Sequence, residues 1–179
     1  RAGESEIDGR RERGRSSESA LSRSDWVCLN VRLKMDLLPL LGKHLKDNEL
    51  IDLLEDYDVE VVYSYDRLKE NQPDEYWASI PELGIQLNFD ENQFLNTMFI
   101  FLEKKDGFEI ADFGEFPLPK FSSKKAMRQY AEDEGVPYVE GQGDFFGKPY
   151  DWLRLDYPEY KLHYDFGGGR LKQVSLSTS

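Results

Sequence analysis

WLRLDYPEYKLHYDFGGGRLKQVSLS, at residues 152–177, alternates polar and apolar residues through three short segments. Leu153 and Leu155 alternate with Trp152 and Arg154, and the two later segments keep the same period of two. This alternation predicts antiparallel strands with one apolar face and one polar face. Pro158 separates the first strand from the second. The FGGGR string lacks the GK[ST] ending of a phosphate loop and joins two strands, so we predict a hairpin turn there.

The same order of segments occurs earlier in the chain. Trp77 precedes Trp152 by 75 residues, and LNFD at 87–90 precedes LHYD at 162–165 by the same distance, pairing Leu87 with Leu162 and Asp90 with Asp165. Beyond the turn the offset becomes 76, which pairs Leu95 with Leu171 and Ile100 with Leu176. Self-similarity at a fixed spacing predicts a tandem duplication. The alternative is a coincidence, because any two antiparallel meanders share alternation.

Each predicted meander follows a segment with helical signals. Leucines recur at three- and four-residue spacing through residues 35–58, and Ser122 or Ser123 precedes KKAMRQYAED, which stops before Gly135. We therefore predict an α+β fold, a tandem repeat of short helices packed on antiparallel β-sheet meanders. Copy one spans 35–115 and copy two spans 116–179. The pattern leaves open whether the copies share one sheet or form two.

Two segments depart from the regular pattern. TMFIFL at 97–102 is apolar on both faces, and we interpret it as a central, covered strand rather than an exposed one. The Gly-rich string EGQGDFFGK at 140–148 has two interpretations. It is either a binding loop that presents Phe145 and Phe146 or a crossover whose phenylalanines fold onto the core.

Residues 1–34 have a different composition from the rest. They hold eight basic and six acidic residues, with few large apolar ones before Trp26. This composition predicts a disordered N-terminal extension, a linker, or translated sequence upstream of a start at Met35. The alternative is a basic arm that touches a partner. The acidic residues argue against a transit peptide, and the short apolar run argues against a secretory signal.

Composition excludes several classes of function. The chain has 23 basic and 35 acidic residues, a net charge of −12, which disfavours binding to nucleic acid. No apolar stretch approaches the roughly 20 residues that span a bilayer. Cys28 is the single cysteine, and no HExxH, CxxC or GxSxG motif occurs. We therefore expect no catalytic residues, no metal and no cofactor, and hence a protein that is not an enzyme.

The remaining features favour a protein partner. Residues 35–179 carry 15 basic and 29 acidic residues, and the whole chain has 10 Tyr and 3 Trp. Charge gives association rate and specificity, while aromatic anchors give much of the affinity. The simpler alternative is that the acidic residues serve solubility alone.

The tandem of helix and antiparallel strands resembles the β-lactamase-inhibitor-protein-like architecture. Residues 116–177 also resemble small bacterial immunity proteins of polymorphic toxin systems, with a helix, a stop at EGVP (134–137), a strand at Trp152, YKLH, a Gly turn and LKQVSL. The resemblance implies a cytoplasmic immunity protein that binds and neutralises a cognate, basic toxin domain such as a nuclease. The absence of paired cysteines implies an intracellular setting. A non-enzymatic interaction or assembly module unrelated to toxins is the alternative.

The predicted partner-binding surface is the polar sheet face with its neighbouring loops. Its residues are Trp77, Asn88, Asp90, Phe145, Phe146, Trp152, Arg154, Asp156 and His163. The acidic helix carrying Asp52, Glu55 and Asp56 is the alternative surface. An enzyme would instead need a pocket lined by His163, Tyr164 and carboxylates. The oligomeric state is not predicted.

Overall fold

The computed structural model describes residues 35–67, 70, 72–145 and 147–179. The prediction for residues 1–34 lies outside this part of the chain. The main elements, in chain order, are α1 (Asn48–Asp56), β1 (Val61–Ser64), β2 (Glu75–Ile80), β3 (Ile85–Phe89), β4 (Leu95–Phe101), α2 (Lys124–Glu134), β5 (Tyr138–Phe145), β6 (Lys148–Asp156), β7 (Tyr160–Gly167) and β8 (Arg170–Thr178). Short 3₁₀ turns lie at Leu38–Leu40, Pro81–Leu83 and Phe113–Glu115.

All eight strands form one antiparallel sheet in the order β1-β2-β3-β4-β8-β7-β6-β5. Both predicted copies therefore share a single sheet, and β4 pairs with β8 at its centre. The prediction of an α+β fold with tandem packed helices is wrong, because the described chain is mainly β. Its two α-helices have only 9 and 11 residues.

The leucine-rich start of the described chain explains part of this difference. Residues 35–47 were predicted to be helical, but they hold only one 3₁₀ turn. Pro39 stands in that turn, and Gly42 adopts a left-handed conformation with φ of 73°, which ends any helix there. Leu37 is nevertheless buried, so the leucines cover the core from an irregular segment.

The second helix follows the sequence signals closely. Ser123 caps α2, and its hydroxyl accepts a hydrogen bond from the Ala126 N–H at 3.2 Å. Gly135 ends the helix in the left-handed conformation, as the sequence predicts. The GGG hairpin is also confirmed, with Gly168 and Gly169 at positive φ between β7 and β8.

One face of the sheet carries the core. Buried residues from alternate strand positions form a continuous cluster with Leu50 and Leu54 of α1 and with Met127 and Ala131 of α2. The strand members of this cluster are Ala78, Ile80, Ile85, Leu87, Phe89, Leu95, Met98, Ile100, Leu153, Leu155, Leu162, Tyr164, Phe166, Val174 and Leu176. Both helices thus cover the same side of the sheet. β4 is central, as its apolar sequence predicts, but neither helix covers its second face, so the prediction of a strand covered on both sides is only partly confirmed.

The strand register relates the two halves of the sheet. Trp77 lies opposite Asn88, which lies opposite Thr97; the corresponding row in the second half is Trp152, Asp165 and Gln173. Irregularities in pairing also correspond, at Asn88/Phe89 and Asp165/Phe166. The two tryptophans are therefore equivalent positions.

The predicted equivalence of LNFD with LHYD is wrong by two residues. In the sheet, Asn88 corresponds to Asp165 rather than to His163, and Phe89 corresponds to Phe166 rather than to Tyr164. The physical reason is that two more residues separate Trp152 from Asp165 than separate Trp77 from Asn88. Equivalent positions in the two halves therefore follow from strand pairing and not from the similarity of the strings LNFD and LHYD.

Candidate functional site

The polar side of the sheet is the candidate functional site, and we call it the open face. It consists of the strand residues that alternate with the core positions, and neither α1 nor α2 packs on it. Its central members are Trp77, Asn88, Thr97, Phe99, Gln173, Ser175, His163, Asp165, Trp152, Arg154 and Asp156.

Trp77 and Phe99 form one aromatic centre on the open face. Their ring centroids are 6.0 Å apart and the rings are nearly parallel, at 20°. Trp77 also donates its indole N–H to Glu75 at 3.1 Å. Asn88 lies between β2 and β4 and is only 6% exposed, although it points to the open face. Asn88 was predicted to contact a partner, but the structure gives it little accessible surface.

Trp152 and His163 form a second aromatic centre. Their rings stack at 5.0 Å with an angle of 20°. The His163 Nε2 lies 3.1 Å from the carboxylate of Asp165. Trp152 faces Gly141 on β5, where an added Cβ would lie 2.6 Å from the indole ring. The glycine therefore leaves room for the ring to lie flat on β5.

Arg154 and Asp156 lie beside this second centre and form an ion pair within β6. The guanidinium Nε donates to the Asp156 carboxylate at 2.6 Å, and a second nitrogen donates at 3.2 Å. The hydrogen bond to Asp156 raises the pKa of Arg154 above its ordinary value. The pair is partly exposed, with side-chain exposures of 34% and 27%, so it is accessible to a partner.

Other predicted site residues have different surroundings. Asp90 forms the turn between β3 and β4, and its carboxylate accepts the N–H groups of Asn92 and Phe94, each at 2.9 Å. Asp90 was predicted to contact a partner, but its carboxylate already accepts these two backbone hydrogen bonds. Phe146 and the side chain of Phe145 lie outside the described residues. The Gly-rich string around them is not a loop, since it forms most of β5 and the turn into β6.

The two predicted binding surfaces do not form one patch. The exposed Asp52, Glu55 and Asp56 belong to α1, which packs on the core side of the sheet. The open face is on the other side. A partner that engages both has to pass around an edge or an end of the sheet.

The pocket that an enzyme would need is not formed by its predicted residues. His163 points to the open face, whereas Tyr164 is fully buried on the core side. The Tyr164 hydroxyl donates to the carbonyl of Pro119 at 2.8 Å, and burial raises its pKa above the ordinary value. The two side chains therefore lie on opposite faces of the sheet.

The sequence did not predict a groove at the β7–β8 turn end of the open face. Its volume is about 780 Å³, and Phe101 and Tyr150 line it together with Lys104, Lys105 and Lys172. Phe101 is 2% exposed, because Phe108 packs edge-on against its ring and the Lys105 ammonium lies 3.9 Å from the ring centroid. Two sequence features could have indicated this groove. They are the phenylalanines of TMFIFL on the face opposite the core and the adjacent lysines Lys104 and Lys105.

Comparisons with known proteins assign no family. No protein-family model matches this chain, and neither a curated protein nor a solved structure matches it. Among the described residues, no group of three or more His, Cys, Asp or Glu side chains could hold a metal ion. Within the same residues, both helices are too short and polar to cross a membrane.

Proposed function

We propose that this protein is an immunity protein that binds and neutralises a basic toxin domain, such as a nuclease, by steric and electrostatic blocking. The observation that carries the proposal is the open face, where two tryptophan-centred stacks lie on a sheet surface that neither α1 nor α2 covers. Residues 35–179 add a net charge of −14. An inhibitor with these properties matches the basic cleft that a nuclease presents to phosphates.

The aromatic stacks suit the role of binding anchors. Trp77 and Trp152 are held in place before any partner arrives, by Phe99 in one stack and by His163 in the other. Rings that are already ordered lose little conformational entropy on binding. Tryptophan is also the residue type most enriched among the few that dominate interface energies.

Polar groups beside the Trp152–His163 stack supply specificity in this proposal. The Arg154–Asp156 pair lies on β6, the strand that carries Trp152, and the His163–Asp165 pair lies on β7, the next strand towards the centre of the sheet. A partner that inserted an unmatched charge here would leave one of these groups desolvated, which costs binding free energy. We place the protein in the cytoplasm, where a toxin with an intracellular target would be met.

The experiment tests, as the candidate toxin domain, the C-terminal domain of any large protein encoded by the reading frame upstream of this one. The purified domain is titrated by calorimetry with the full chain, with Trp152→Ala and with the matched control Phe94→Ala. Phe94 is an exposed aromatic that packs edge-on against His44 and lies off the open face. We expect Trp152→Ala to weaken binding by about 30-fold or more, the loss typical of an anchor residue. Phe94→Ala should stay within about twofold.

Two further readouts make the proposal decisive. Binding should weaken as salt rises, because screening reduces the attraction between the net negative charge of residues 35–179 and the basic toxin. Co-expression should restore growth to cells that make the toxin. Equal affinities of Trp152→Ala and the unmodified chain would refute the open face as the contact surface. A partner that binds without any toxic activity to neutralise would favour the assembly module instead.

A further inference from the structure

The β1 edge of the sheet is exposed to an unusual degree. Within the part of the chain that the structure describes, β1 pairs with β2 alone. Its side chains are nevertheless large and apolar, with exposures of 37% for Val61, 60% for Val62 and 49% for Tyr63. Tyr65, just beyond the strand, is 53% exposed. An apolar edge strand with unpaired backbone groups is a template for another strand.

The opposite edge of the sheet is protected in the usual ways. β5 carries two glycines, Gly141 and Gly143, which lower strand propensity. It also carries Glu140, which forms ion pairs with Lys124 and Arg128 of α2. β1 has neither glycine nor a charged residue within its four positions. The two edges therefore differ in how readily they accept a further strand.

A notch lies beside β1 on the helix side of the sheet. Its volume is about 240 Å³, and Ile51, Val59 and Val61 line it together with Leu45 and Leu54. The carboxylate-bearing residues Glu55 and Asp58 complete the lining. Apolar walls with two carboxylates suit a lysine or arginine side chain, whose stem packs on the walls while its cation meets the acids.

Charge identifies the occupant as a partner rather than a second copy. Asp58 and Glu60 precede β1, and Asp74 follows it in space, where it accepts a hydrogen bond from Tyr63. In an antiparallel pair of β1 strands from two copies, these acids would face one another and repel. Arg67, which lies over the Tyr65 ring, offsets only part of this charge. A basic strand meets attraction at both ends.

We infer that β1 is a docking edge for an extended, basic segment of a protein partner, which adds a ninth strand to the sheet and places a lysine or arginine side chain in the notch. Backbone hydrogen bonds supply affinity in such strand addition, and the notch supplies specificity. The inference rests on the proposed function only to the extent that the toxin provides the strand.

Synthetic peptides test the edge without the toxin. One probe is a nine-residue peptide with valine and threonine alternating at its centre and two lysines at each end, and its twin has glutamate in place of every lysine. Fluorescence anisotropy should show the lysine peptide binding at least 10-fold more tightly than the twin. Hydrogen exchange should slow at the β1 amides when the lysine peptide is bound.

Matched variants locate the site. Val62→Lys places a cation on the β1 edge, and Val139→Lys places the same charge on β5, where Val139 is 44% exposed. We expect a loss of at least 10-fold from the first and less than twofold from the second. Glu55→Gln with Asp58→Asn removes the notch charges and keeps a residue that tolerates the positive φ of 50° at position 58. This double variant should weaken binding by at least threefold even if Val62→Lys does not fold.

Several outcomes would overturn the inference. Equal binding of the two peptides, or protection at β5 instead of β1, would remove it. A dimer that Val62→Lys dissociates would assign the edge to a second copy. Failure of both peptides to bind overturns the edge proposal whether or not the toxin is neutralised. If the lysine peptide protects β1 but no toxin is neutralised, the proposed function falls and the docking edge stands.

Discussion

Phe99 on β4 lies directly opposite Ser175 on β8, at the middle of the eight-stranded sheet. The 76-residue offset between these strands makes the two residues counterparts, so this position faces its own equivalent. The same offset makes Met98 the counterpart of Val174 and Ile100 the counterpart of Leu176. Because Met98 lies opposite Leu176 and Ile100 lies opposite Val174, the relation exchanges these two pairs. A local twofold axis therefore passes through the Phe99–Ser175 pair, perpendicular to the sheet, and keeps each half's apolar side on the same face.

The Phe99–Ser175 pair is symmetric in place but not in chemistry, which gives a first prediction. Phe99→Ser should destabilise the fold by about 1–3 kcal/mol, because it removes the ring that stacks on Trp77. Ser175→Ala is the matched control and should change stability by less than about 0.5 kcal/mol. Urea unfolding followed by circular dichroism measures both. Equal effects of the two substitutions would contradict a supporting role for the Phe99 ring.

Gly141 provides a test of the second stack. Gly141→Ala should displace the Trp152 indole, since the new Cβ would lie 2.6 Å from it. We expect a shift in tryptophan emission and a stability loss of about 1–3 kcal/mol. Gly143→Ala is a close comparison, because its Cβ would meet the Tyr150 ring at 2.6 Å instead. It should leave the tryptophan spectrum unchanged, and a similar spectral shift in both variants would argue against direct contact.

Gly84 tests how tightly the β2–β3 connection packs. It has φ of 66°, and an added Cβ would lie 2.5 Å from the Glu109 carbonyl and 2.8 Å from the Ala111 nitrogen. These are backbone atoms that cannot move aside easily, so Gly84→Ala should cost about 3 kcal/mol or more. Gly107→Ala has a similar φ of 83° with open space around it and should cost about 1 kcal/mol. Thermal unfolding distinguishes them, and equal costs would show that φ alone sets the penalty.

Tyr63 gives a prediction about pH. The hydrogen bond that its hydroxyl donates to the Asp74 carboxylate raises the pKa of Tyr63 to about 12. Since the pKa is higher in the folded state than in the unfolded state, the bond's contribution to stability is complete below pH 10. It declines as pH rises through about 12. Carbon NMR of labelled tyrosine should show the late titration, and Asp74→Ala should return the pKa towards 10; an unchanged titration would exclude Asp74 as the cause.

Much of the sheet could be predicted from the sequence because alternation is a local property. The alternation of polar and apolar residues around Trp152 and Leu153 shows which side chains share a face of the strand, without information from the rest of the chain. The strand β5 could not be predicted in this way. Glycine is unfavourable within a strand, and its presence at Gly141 and Gly143 becomes understandable only when the rings of β6 are seen to occupy the missing side-chain space.

The candidate site was only partly predictable for a related reason. The sequence places Trp77, Trp152, Arg154 and His163 on one face, but it does not show which neighbours cover or occupy them. Asn88 is covered within the sheet, and the Asp90 carboxylate is engaged by the adjacent turn. Such contacts depend on cross-strand register. In the sheet this register differs by two residues from the sequence alignment of LNFD with LHYD.

The central β4–β8 pair also has a consequence for any truncated form of the chain. A gene fragment encoding residues 35–115 would lack β8 and leave β4, with its phenylalanine and isoleucine side chains, as an unpaired strand. The twofold relation means that the element best suited to pair with it is the β4 strand of a second copy, in the antiparallel direction. The fragment is therefore expected to be recovered as a homodimer, which is the form that an ancestor would take if the chain arose by duplication.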